Sequence, residues 1–210
     1  MILLVVRLLL VYGATAALLV YLAHRFVRPV SLRVALFLSL APALLTGKAL
    51  LTAGVQAPLG ITYEAPPLSA YRAEMGVGKP RTPILSDVVA SYIPWRKAVR
   101  EAIQNGRLPL WNRFQLAGDP LLAVQEPAVL HPATWIGLLL PLEQAWTFEM
   151  ALRSFLALLA AYLFFRELRC RELASCLGAV GWAFSNYLVF YLGFPLSPAT
   201  APFPPKRAMR

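Results

Sequence analysis

Asp87 stands in the stretch "ILSDVVASYIPW", between apolar residues and just ahead of a helical pattern. A carboxylate so placed serves as a general base when partial burial raises its pKa toward the working pH. It serves equally well as a turn cap, because Asp accepts hydrogen bonds from nearby backbone N–H groups. The sequence leaves both roles open. Arg96, Lys97 and Arg100 follow within a few turns. Cations in such a row can hold a phosphate, or they can form a solvated face packed on the rest of their loop. Asp119, Gln125 and Glu126 add further candidate binding groups, with His131 close behind. Asp119 lies between Gly118 and Pro120, which mainly signals a turn. Asp, Glu and His side chains together suit a divalent metal, although no tight ligand spacing marks one. Motifs of the GxSxG, HExxH, Walker or dinucleotide-binding kinds are absent from the sequence.

The elements that position these groups are unusually oily. Of the 210 residues, 59% are hydrophobic and only 14% charged, against roughly 25% charged in a soluble domain. The mean hydropathy is +0.61, which points to a membrane protein. The net charge of +10 is spread along the chain rather than gathered with aromatics on one face, so nucleic-acid binding is not expected. Positive flanks of membrane helices account for the excess. Cys170 and Cys176 are spaced neither as a redox pair nor as half a zinc site, and read as small buried thiols.

A bilayer span takes about 20 mostly apolar residues. Residues 2–23, 34–55, 147–165 and 174–193 meet that length, the first two interrupted by Arg7 and Lys48. The expected fold is therefore all-α and integral to the membrane, with about four spans. Its expected parts are two N-terminal spans with an Arg-rich turn (1–55), a long loop (56–146), two further spans (147–193) and a Pro-rich basic tail (194–210). The absence of strand alternation argues against a barrel. Arg7 and Lys48 sit within two turns of helix ends, where their stems can snorkel to the interface; an intramembrane charge is otherwise a functional signal.

Orientation follows from the short connectors. "HRFVRPVSLR" and "RELRCRE" each carry three arginines, and short basic loops stay in the cytoplasm. The long loop then faces outward, with the lipid bilayer as the first partner. An uncleaved anchor suits residues 1–23, because the positive cluster follows the apolar run and no small-residue cleavage site is clear. The loop opens as Pro/Gly-rich coil. A helix is expected from Pro94 to Gly106, with Trp95, Ala98, Val99, Ala102 and Ile103 on its apolar face. Arg96, Lys97, Arg100, Glu101 and Gln104 form the opposite face, a pattern suited to a membrane surface. "ATWIGLLLPL", residues 133–142, is too short to span and reads as an interfacial segment.

One run, "SDVVASYIPWRKAVREAIQNGRLPLWNRFQLAGDPLLAVQEPAVLHPATW", resembles the YfhO-type bacterial membrane proteins, grouped with the GT-C class of glycosyltransferases. The likeness rests on an ordered series: Asp followed by Pro-aromatic, then G-x-L-P-L-W-N, then G-D-P-L-L-A, then Gln and Pro. "LRSFLALLAAYLFFRELRCRELASCLGAVGWAFSNYLVFYLG" is similar to the next two helices of such proteins, so the resemblance covers residues 57–197. It departs at Ser91, Arg113 and His131 and in carrying an additional first helix. The resemblance implies a cell-envelope enzyme of the bacterial inner membrane, moving a sugar from a polyprenyl-phosphate donor on the outer face. It places Asp87 at the catalytic or metal-assisting position. After "FPLSPA" such proteins continue with further helices, so an N-terminal fragment is expected. The alternative is a non-enzymatic assembly or scaffold component with a membrane-protein partner, or an inactive fragment.

Overall fold

The computed structural model describes residues 2–52, 54–79 and 83–194. The expected tail, 194–210, lies outside them save for Phe194. The protein is mostly helical, with two helices long and apolar enough to cross a membrane. These are α1 (Ile2–Phe26) and α6 (Leu142–Glu167). A bent pair, α2 (Leu32–Leu40) and α3 (Ala43–Thr52), makes a third if it counts as one span.

α6 is the central rod. Seventeen of its 26 residues are buried, on all sides, so its apolar character is not confined to a stripe. α1 packs against it through Leu8, Tyr12 and Ala16, one residue per turn on one face. Leu3, Leu10 and Leu18 on its other sides are exposed, as lipid-facing positions would be. α7 (Glu172–Ala183) returns along α6, and Gly178 permits the close approach: a Cβ there would come within 2.6 Å of the Phe165 ring. A short α8 (Asn186–Tyr191) follows after a break at Phe184 and Ser185.

Two expected continuous spans are therefore broken. Residues 34–55 bend by 68° between α2 and α3, because Pro42 offers no N–H to the preceding turn. Ser39 O, left by the break, accepts a hydrogen bond from Tyr12 Oη at 2.8 Å. That is how a neighbouring helix satisfies backbone freed in an apolar setting. Residues 174–193 split into α7 and α8.

The two ends of the molecule differ. At one end the short basic connectors meet: Arg28 Nη1 donates to Glu167 Oε1 at 3.2 Å, and Ser31 Oγ donates to Glu172 Oε1 at 3.2 Å. The long loop packs at the other end, around the first turns of α6. Gln56 N donates to Thr147 Oγ1, which in turn donates to Gly54 O.

The loop holds three short 3-10 turns, Leu59–Glu64, Leu68–Tyr71 and Pro83–Leu85, before α4 (Ile93–Gln104). A two-stranded antiparallel hairpin follows, β1 (Trp111–Asn112) with β2 (Asp119–Pro120), and then α5 (Pro132–Gly137). The hairpin was not expected from the sequence. Trp95, Ala98, Val99 and Ile103 of α4 pack with Leu121, Leu122 and Val129 into a small core of the loop's own.

Candidate functional site

Asp87 is exposed, without the partial burial expected of it as a base, at the start of a widened helical turn, Val88–Tyr92, that runs directly into α4. Pro94 explains the widening. Without an N–H it cannot close the ordinary bond to Ala90 O, and Ile93 N reaches back to Val88 O instead. Such one-turn π-bulges are frequent at functional sites. The Asp87 carboxylate makes no capping hydrogen bond to this turn, so the capping role is unfilled.

Tyr92, which the sequence did not single out, feels the charge of two of the candidate carboxylates. Burial pushes its hydroxyl above the ordinary value, and the charges of Glu126 and Asp87 raise it further. Glu126 is half-buried, and the chain reverses just before it at Gln125, whose φ is +63°. Edge-on contacts with Trp95 and Phe194 fix the Tyr92 ring. A single Tyr between Ser91 and Ile93 carries no spacing signal, which is why sequence reasoning passed over it.

The three candidate cations have three different surroundings. Lys97 is exposed and lines a groove of 370 Å³ with Ala90, Pro94, Glu101, Asn112 and Gln115. Arg100 is half-buried and donates to Gly137 O at 2.9 Å; burial lowers its pKa, while Glu143 and Glu149 oppose that shift. Arg96 is 5% exposed and turned inward, not toward a surface ligand. Its Nη2 donates to Glu149 Oε2 at 2.6 Å and its Nη1 to Thr134 Oγ1 at 2.5 Å. The expected cationic face of α4 is thus divided, because positions 96 and 100 lie one turn apart over α5 and α6.

Glu149 is shared. Arg153, one turn further along α6, donates to the same Oε2 at 3.0 Å and to Phe194 O at 3.0 Å. Two guanidiniums and one carboxylate make a buried cluster of net charge +1 that joins the loop to the long helix. Sequence reasoning missed Glu149 and Arg153. The signal was present: an acid and a base four apart inside an otherwise apolar run. His131 lies near this cluster. Its Nδ1 accepts from Ala133 N at 3.2 Å as the cap of α5. Burial lowers its pKa, and Arg153 and Arg96 lower it further against the pull of Glu149.

Asp119 is half-buried on β2 opposite Asn112, and Gln125 is exposed on its turn. Among the described residues, neither side chain hydrogen-bonds another candidate. No group of three or more His, Cys, Asp or Glu side chains is placed to hold a metal ion, among the described residues.

Two grooves are lined by residues close to Asp87 in sequence, not by Asp87 itself. Upstream, Leu85 lines an apolar groove of 460 Å³ with Leu45, Val55, Met150, Val189 and Leu192, at the ends of the bundle helices. Downstream, Ala90 lines the groove that holds Lys97 and Glu101 beside Pro94, Ala98 and Phe114. An exposed carboxylate can take a proton from a bound hydroxyl. Comparison with family models, curated proteins and solved structures finds no match.

Proposed function

We propose that this protein is a multi-pass membrane glycosyltransferase, acting alone or as the N-terminal part of a longer polypeptide. In this reading the bent pair and the α7–α8 pair complete four spans in a bacterial inner membrane, with the Asp87 loop on the outer face. The donor is a sugar on a polyprenyl phosphate. The exposed carboxylate of Asp87 at the head of the widened turn that leads into α4, with exposed Lys97 further along the same helix, is the observation that carries the reading.

In the reaction, Asp87 accepts the proton of an acceptor hydroxyl as that oxygen attacks the anomeric carbon. The bond from that carbon to the donor phosphate breaks, and its electron pair leaves with the polyprenyl phosphate. Lys97 is the exposed α4 cation able to meet the departing charge. Arg96 is committed to Glu149 and holds the loop in place instead. Asp119, Gln125 and Glu126 remain candidate contacts for the acceptor side. A second reading, a non-catalytic assembly component, draws on α1, where only four of 25 residues are buried and the rest could face a partner helix.

The test is transfer from a polyprenyl-linked sugar by the full chain in lipid nanodiscs. Asp87→Asn is expected to lower the rate about 10²–10⁴-fold, the usual worth of a general base. Its exposure predicts an unchanged thermal transition. Turnover that persists in Asp87→Asn overturns the assignment. Absence of turnover in the native chain, with a membrane partner retained, favours the assembly role.

A further inference from the structure

The β1–β2 hairpin holds an indole open to solvent. Trp111 is 60% exposed, yet it is not loose. Gly118 packs so closely on its Nε1–Cε2–Cζ2 side that a Cβ there would run into the ring. To bring Gly118 in, the chain passes through left-handed backbone at Leu116 and Ala117, φ 50° and 59°, before Gly118 at 125°. Left-handed geometry is unfavourable for a residue with a Cβ. The loop keeps that strained path, and its result is a braced ring with a free surface.

The free part of the ring borders a groove of 250 Å³ lined also by Glu101, Arg107, Asn112, Arg113 and Phe114. Glu101 and Arg113 pair at 3.0 Å on its exposed wall, and Arg113 also lies 4.8 Å from the centre of the Phe114 ring. Glu101, Asn112 and Phe114 belong as well to the 370 Å³ groove that runs past Lys97 to Ala90, three residues from Asp87. The two grooves therefore form one trough along α4, with Trp111 at one end and Ala90 at the other.

We infer that this trough binds the pyranose rings of a glycan, with one ring stacked on Trp111. Pyranoses have an apolar C–H face, which suits a rigid aromatic surface, and an edge of hydroxyls, which suits planar carboxylate, amide and guanidinium groups. Glu101 and Arg113 supply a carboxylate and a guanidinium beside the ring, while Asn112 is buried and its amide is held by Phe114 N and Gln115 Oε1. An acyl chain or a flat protein surface would leave the two charged groups unused. The assignment of this glycan as the acceptor rests on the sugar-transfer reading; its binding does not, and is measured without turnover.

Saturation-transfer NMR on the full chain in detergent, with neutral, N-acetylated and uronic-acid β-linked disaccharides, tests the inference. At least one class is expected to receive saturation on the C–H protons of one ring face. Trp111→Ala should weaken that binding about tenfold, the loss of one stacking contact. Trp111→Phe should retain most of it, which guards against misfolding of the hairpin. Gly118→Ala should weaken it by displacing the indole. Sugar binding by the native chain without transfer would count against the enzyme reading alone. Silence from all three classes, or binding that survives Trp111→Ala, overturns the trough. So does a blue shift of Trp111 emission on phosphatidylglycerol vesicles without any sugar effect, which would make the hairpin a membrane contact.

Discussion

Glu149→Gln removes the one carboxylate shared by Arg96 and Arg153 while keeping the shape of the side chain. With charge centres about 4 Å apart and an effective dielectric of about 20, each pairing is worth about 4 kcal/mol before desolvation. The substitution also leaves two buried guanidiniums facing each other. Breaking a buried pair in this way costs about 3–5 kcal/mol, or roughly 6–20 °C of melting temperature in a chain of this size. Arg96→Met should be milder, within about 2 kcal/mol, because it leaves the neutral pair of Glu149 and Arg153 and fills the stem volume. Since Arg96 is on α4 and Glu149 on α6, the damage should appear first as release of the loop. Thermal unfolding in detergent gives the size of the effect, and limited proteolysis within residues 56–131 gives its place. If Glu149→Gln proves no more costly than Arg96→Met, the net charge of the cluster is not what governs its stability.

His131 predicts a pH effect. Its folded pKa lies below the ordinary 6.5, so the unfolded chain binds the proton more readily. The stability it contributes is complete above about 6.5 and is lost as pH falls below that value. His131→Asn keeps an acceptor for Ala133 N–H and should flatten this part of the pH–stability curve, read as the difference between the two melting profiles. Gly178→Val should force α7 off Phe165 and cost about 1–3 kcal/mol by overpacking, with a lower melting temperature and no local release of the loop.

The long helices were legible because an apolar run of span length carries its own evidence, as residues 2–23 and 147–165 did within α1 and α6. The breaks were less legible. Pro42 is a local signal for a bend, but an apolar window averages over it, and the break at Ser185 has no proline to announce it. α4 was expected from its period and its ends, and its apolar residues do pack together. What the period could not give was the direction of the polar face. Arg96 turned inward because Glu149, more than fifty residues away, stands there to meet it. The hairpin escaped notice for a related reason. Its strands are two residues each, too short for alternation, and Leu116 and Ala117 take up left-handed backbone against the ordinary preference of such residues.

The central claim is that Asp87 stands outside the lipid, on the side opposite the arginine-bearing connectors. A chain with Cys170 and Cys176 replaced by alanine, carrying Asp87→Cys or Arg28→Cys, tests it with a membrane-impermeant maleimide on intact cells. The account predicts labelling at position 87 in intact cells and at position 28 only after the membrane is opened. Protection at 87 together with labelling at 28 would contradict it.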